Sequence, residues 1–117
     1  MEHDPRAFLW DVHQAVQKIG VFVQGRDLGN YLADAMLRSA VERQFEIIGE
    51  ALNQLSKAAP QIAARIPDLS RAVAMRNMLI HGYAQVDNEA VWRAVQDHLP
   101  ALRARVAELV RELGDAR

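Results

Sequence analysis

The chain has 117 residues, half of them apolar, with 14 basic against 15 acidic side chains and a formal net charge of −1. That is enough chain for one packed domain with a real core but not for two, and the near-neutral balance excludes a general polyanion binder built on basic excess. The lack of cysteine excludes disulfides and thiolate metal sites, and no apolar run approaches the roughly 20 residues needed to cross a bilayer.

Strand formers are thinly spread, whereas Ala, Leu, Arg, Gln and Glu dominate. The expectation is therefore an all-α protein, a single helical domain over residues 1–117. The opening Met1-Glu2-His3-Asp4-Pro5 is acidic and polar and does not fit a signal peptide. A cytoplasmic protein is expected.

The first helix is predicted over Pro5 to Val23. Asp4 can cap its free amides, and proline suits the first turn. Phe8, Leu9, Val12, Val16, Ile19 and Val23 recur at helical spacing and make one apolar stripe. Gly25 and Gly29 bracket a short polar turn.

A long second helix is predicted from Leu28 to Lys57, capped by Asp27. Its buried stripe reads Leu32, Ala35, Met36, Val41, Phe45, Ile48, Leu52 and Leu55. At about 1.5 Å per residue it would run roughly 40 Å and form the spine of the fold. Pro60 and Pro67 then punctuate a short helical or irregular piece.

A third helix spans Asp68 to Ile80 and ends near His81-Gly82, because glycine just beyond a helix readily adopts the terminating left-handed conformation. Asp87 can cap a fourth helix carrying Val91, Trp92 and Val95. Pro100 interrupts or restarts the pattern, and Leu102, Val106, Leu109 and Leu113 complete the last amphipathic segment before Gly114. The sum is an up-down bundle of four to five helices with short connections.

Charge is distributed unevenly along this frame. Between Gln61 and Val86 the only acid is Asp68, against Arg65, Arg71 and Arg76. This locally basic stretch contains Arg76-Asn77-Met78-Leu79-Ile80-His81-Gly82-Tyr83, which sets a fixed cation, an imidazole and a phenol within eight residues. Arginine holds phosphate through paired hydrogen bonds, and histidine moves protons near neutral pH.

Spacing alone does not make these groups a site. Arg76 and Tyr83 would lie about 20° apart on an unbroken helix, but Arg76 and His81 about 140° apart. The latter pair converges only if the helix ends or distorts near His81, which Gly82 permits. A histidine beside a helix-ending glycine is also a common C-terminal cap, Arg76 can pair with Glu46 or Glu50, and Tyr83 can be a core aromatic with its hydroxyl at the surface.

The motif gains weight from a resemblance. RNMLIHGY resembles the signature of the HEPN superfamily, an Arg, four to six residues and a His, in the HepT-like branch where one residue and then Tyr come after the His. The segment Ala40-Val41-Glu42-Arg43-Gln44-Phe45-Glu46-Ile47-Ile48-Gly49-Glu50-Ala51 resembles the second-helix signature of that branch, and Val86-Asp87-Asn88-Glu89-Ala90-Val91-Trp92 resembles the stretch downstream of its motif. The similarity covers nearly the whole chain.

The resemblance implies a HEPN-like helical-bundle endoribonuclease, the toxin of a toxin–antitoxin pair. It implies a homodimer in which two Arg/His motifs line one cleft, with RNA as substrate and no metal or cofactor. It also implies a partner, an MntA-like minimal nucleotidyltransferase that silences the toxin by attaching AMP to the motif tyrosine. Arg76 and His81 would then be catalytic and Tyr83 the AMP acceptor. A competing reading is a non-catalytic HEPN assembly module partnering such a nucleotidyltransferase; a second is a purely structural bundle, favoured if His81 were buried.

Around the motif, Asn77 can orient a phosphate, and Glu46 and Glu50, one turn apart, can hold Arg76 or His81. Glu46 can equally pair with Arg43 along its own helix. Arg71 and Arg65 are further candidates for RNA phosphate contacts. Trp10 and Trp92 read as core or interface anchors rather than base-stacking platforms. His3, His13, His81 and His98 are scattered without metal-ligand spacing, and no membrane association is expected.

Overall fold

The computed structural model describes residues 4–82 and 85–114. Its first helix, α1 (Pro5–Val23), starts where the Asp4 side chain accepts the Arg6 amide and Pro5 supplies a preset φ. Leu9, Val12, Ala15, Val16 and Ile19 are its buried face, so the expected limits and inward stripe both hold. Phe8 and Val23 lie partly buried at the edge of that stripe. The chain then turns at Gly25, whose φ of 75° is one that L side chains rarely adopt.

The long second helix expected from Leu28 to Lys57 is in fact two. The first piece, α2 (Leu28–Ala33), opens with a reciprocal cap in which the Asp27 side chain accepts the Asn30 amide at 2.8 Å and Asn30 Oδ1 accepts the Asp27 amide at 3.0 Å. The second, α3 (Ala35–Ala58), begins after Asp34, whose backbone is extended at φ −113°, ψ 99°. Two side chains make this break. Asp34 Oδ1 accepts the Leu37 amide at 3.0 Å, and the Arg38 guanidinium donates to the carbonyls of Tyr31 and Leu32 at the end of α2.

The corner redirects the apolar pattern. Leu32, Ala35 and Met36, expected in the buried stripe, are exposed, Met36 to 82%. Tyr31 takes the inward position instead and is fully buried against Trp92, with ring centroids 5.2 Å apart.

Beyond the corner α3 behaves as the expected spine. It has 24 residues, about 36 Å at 1.5 Å per residue, and buries Leu37, Val41, Phe45, Ile48, Leu52 and Leu55. It packs against α1 and against α5 (Leu69–His81). A single turn, α4 (Pro60–Ala63), bridges α3 and α5. The sequence then forms α6 (Asn88–Asp97), capped by Asp87 through the Ala90 amide, and α7 (Leu99–Leu113), with Pro100 in its first turn and Gly114 at its end. Trp92 is buried, as an anchor should be.

Among the described residues there are thus five helices of ten residues or more, two short ones and no strand. No described helix is long and apolar enough to cross a membrane.

Candidate active site

Helix α5 carries the motif, and its position is set by a glycine of α3. A Cβ on Gly49 would fall 2.2 Å from the Cβ of Arg76 and 2.9 Å from the carbonyl oxygen of Ala72. Only a residue without a side chain lets the two backbones approach so closely. A glycine inside a helix costs roughly 0.5–1 kcal/mol relative to alanine, so this close crossing is the reason to keep one there. Sequence reading gave Gly49 no role, although an isolated glycine among strong helix formers is the signal that could have found it.

The crossing fixes the stem of Arg76, and two polar groups fix its head. Nη2 lies 2.9 Å from Oε2 of Glu50, and Nη1 donates to Oδ1 of Asn77 at 2.9 Å. The Arg76 side chain is 28% exposed, so the guanidinium is anchored but open to a ligand. Glu50 therefore does hold Arg76. Glu46 does not; its partner is Arg43 on the same helix, at 3.3 Å.

Glu42, Glu46 and Glu50 recur every fourth residue and form an acidic row on α3. Partial burial pushes the carboxyl of Glu42 up; Arg38 opposes that shift and Glu46 adds to it.

His81 is the last residue of α5 and is exposed. The helix does not distort before it: the Gly82 amide donates to the Met78 carbonyl at 2.7 Å, closing a regular turn. Arg76 and His81 therefore keep the ideal-helix separation of about 140° and about 7.5 Å along the axis. The convergence expected from a helix ending early does not occur. Asn77 bridges part of that gap. It is four residues before His81 and on the same exposed face, and its bond to Nη1 draws one arm of the guanidinium toward that face.

The remaining candidates sit elsewhere. Arg71 donates through Nη1 to Nε2 of His98 at 2.7 Å, on another side of α5. Arg65, expected as a phosphate contact, is held by both oxygens of Glu112 at 2.9 and 2.7 Å. Tyr83 lies outside the described residues. Among those that are described, no three His, Asp or Glu side chains cluster as metal ligands.

One helix thus carries an exposed imidazole and, on another face, an anchored guanidinium open to a ligand. Groups of these kinds suit proton transfer and charge stabilisation at a phosphate, and comparison with known proteins points the same way. A family profile described as "Ribonuclease HepT-like" matches residues 12–109, most of the chain. The chain belongs to the ribonuclease HepT-like family. It is 30% identical over 105 residues to a protein of Methanocaldococcus jannaschii named "Putative RNase MJ1380", covering 90% of this chain and 95% of that one. It is also 30% identical over 111 residues to "Probable ribonuclease HepT" of Thermococcus cleftensis, covering 93% of this chain and 98% of its relative. No solved structure gives a significant match. The all-α bundle fits a HepT-like chain.

Proposed function

We propose that this HepT-like protein is a metal-independent endoribonuclease in which Arg76 and His81 are the catalytic residues. The observation that carries the reading is an Arg76 held at both arms and at its stem, on the same helix as an exposed His81. In the proposed reaction the RNA 2′-hydroxyl attacks the adjacent phosphorus, the bond to the 5′-oxygen breaks, and a 2′,3′-cyclic phosphate and a free 5′-hydroxyl result. Arg76 binds the phosphate oxygens as negative charge accumulates on them. His81 takes the 2′-hydroxyl proton or delivers one to the leaving oxygen.

One imidazole serves one of those two transfers at a time, so a second copy of the chain would supply the other. The angle of about 140° between Arg76 and His81 on a regular helix supports the same arrangement, since residues of two protomers can close a cleft that one helix leaves splayed. The protein would then act as a homodimer on RNA.

The regulation is proposed with it. The protein would be the toxin of a toxin–antitoxin pair, silenced by an MntA-like nucleotidyltransferase that attaches AMP to Tyr83. The added phosphate would compete for Arg76 as an RNA phosphate does, and the adenine would block entry.

Expression of the native chain beside His81→Ala, with growth and total RNA followed, tests the core of this reading. Cleavage by the native chain alone is expected, with cyclic phosphate ends and full activity in EDTA. Equal RNA integrity in both cultures would sink it, and activity that stops in chelator would sink the metal-independent scheme. Tyr83→Phe is expected to cleave RNA yet escape silencing when the nucleotidyltransferase is co-expressed.

A further inference from the structure

Another side of α5 borders a separate cavity of about 280 Å³, between α3, α5, α6 and the start of α7. Its walls include Phe45, Ile48, Met75 and Leu102, and its polar groups are Asp68, Arg71, Arg93 and His98. On α5 the lining residues Arg71, Ala72 and Met75 share one face of the helix, and Asp68 lies just before its start. Asn77 and His81 stand on the outward face, so the cavity and the motif are different places on one helix.

The two guanidiniums of this cavity, Arg71 and Arg93, are partnered differently. Arg43, Arg65 and Arg76 each meet a glutamate. Arg71 forms no ion pair with a carboxylate among the described residues; its Nη1 lies 2.7 Å from Nε2 of His98. Asp68, the one carboxylate lining the cavity, faces Nδ1 of the same imidazole at 3.8 Å. Arg93 contributes a second guanidinium, with Glu89 outside the cavity 4.0 Å away. An anion entering here would give Arg71 the anionic partner it lacks, and bonds between ionised groups are about twice as strong as neutral ones.

We propose that this cavity is a nucleotide-binding subsite. The base lies in the apolar trough against Phe45, Met75 and Leu102, and the phosphate is held by Arg71 with Arg93 beside it. The volume of about 280 Å³ lies just below the roughly 300–1,000 Å³ typical of small-ligand sites, which leaves room for one nucleotide unit at most and not for a length of strand. That unit can be a free mononucleotide or the terminal nucleotide of an RNA. The preference for a nucleotide over another flat anion rests on the ribonuclease reading; the cationic rim and apolar floor do not.

The test is calorimetric titration of AMP, UMP and a short all-2′-deoxy oligonucleotide into the full chain carrying His81→Ala. Saturable binding is expected, weakened at least tenfold by Arg71→Ala and partly restored by Arg71→Lys. Arg71 is exposed, so its substitution leaves the core intact, and helicity by circular dichroism checks this. Binding of the mononucleotides identifies the free-nucleotide source, and binding of the oligonucleotide alone identifies the strand end. No saturable binding of any probe, or binding as tight in Arg71→Ala as without it, overturns the proposal. Nucleotide binding that needs Arg71 in a chain whose native form cleaves no RNA would count against the ribonuclease reading and leave the subsite standing. Binding that needs Arg76 and not Arg71 would do the reverse.

Discussion

Arg65 and Arg76 are both bonded to a glutamate of another helix, yet they are held very differently. Arg65, in the connection between α4 and α5, meets both oxygens of Glu112 on α7 at 2.9 and 2.7 Å, with both partners exposed. Arg76 meets Glu50 through one arm at 2.9 Å and Asn77 through the other, while its Cβ rests over Gly49. Judged by its carboxylate contacts alone, Arg65 is the better-paired residue. What sets Arg76 apart is that its stem is fixed by a backbone-close helix crossing and its fork is divided between two partners. A guanidinium so placed is oriented before any substrate arrives, which is what a phosphate-binding group in a reaction needs.

If that difference is functional, the largest loss should come from the motif itself. Arg76→Ala is expected to lower kcat by about 10²–10³, the range for removal of one preorganised donor to a developing anion, and His81→Ala by about 10²–10⁴, the range for general acid–base groups. Arg76→Lys should recover little, because a single ammonium cannot reach Glu50 and Asn77 together. Single-turnover cleavage of one defined RNA measures all three. A lysine variant near native activity would show that charge, and not the divided fork, is what matters.

Next comes the crossing. Gly49→Val places atoms where Arg76 and the Ala72 carbonyl already are, and overpacking of this kind costs about 1–3 kcal/mol of stability. Urea denaturation should show that loss. Cleavage should fall further than the loss of folded protein accounts for, because α5 must slide or tilt and carry Arg76 with it. Activity that tracks the folded fraction alone would reduce Gly49 to a packing residue.

Much of this arrangement could be read from the chain before any coordinates, and the parts that could not share a physical cause. The limits of α1 and the start of α6 were legible because Asp4-Pro5 and Asp87 are local signals; α5 ends where expected, but Gly82 has φ −112° and not the left-handed conformation expected of it. The break at Asp34 was not: Leu32, Ala35 and Met36 continue a helical period, and the corner is made by Asp34 and Arg38 reaching across it. Arg76 and His81 stood out by their chemistry. Gly49 stayed silent because its meaning lies in a partner on another helix, and the regularity of α5 through His81 overrode the expectation drawn from Gly82.

A smaller effect is expected at Glu50. Glu50→Gln keeps a hydrogen-bond acceptor for Arg76 but removes a negative charge from the edge of the phosphate site. Two consequences oppose each other: phosphate repulsion falls, and the guanidinium is held less firmly. KM and kcat should therefore both drop by a few-fold, an ion pair as exposed as this one being worth about 0.2–1 kcal/mol. Steady-state kinetics separates the two terms. A lower kcat with an unchanged KM would mean that Glu50 positions Arg76 without shaping substrate affinity.

The least effect belongs to Arg65→Ala. The hydrogen bond from Arg65 holds the carboxyl of Glu112 below its ordinary value of 4.5, and Glu112 in turn raises Arg65. A carboxylate whose folded pKa is depressed adds stability above its unfolded value and loses it as pH falls through the folded one. The native chain and Arg65→Ala should thus differ most at neutral pH and converge in acid, and the difference should be slight because both partners are in water. Thermal melts from pH 7 down to acid measure it. RNA cleavage should not change at all, since Glu112 already engages the fork. If Arg65→Ala slowed cleavage as Arg76→Ala does, stem anchoring would no longer separate the two arginines, and their contrast would have to be sought in the RNA itself.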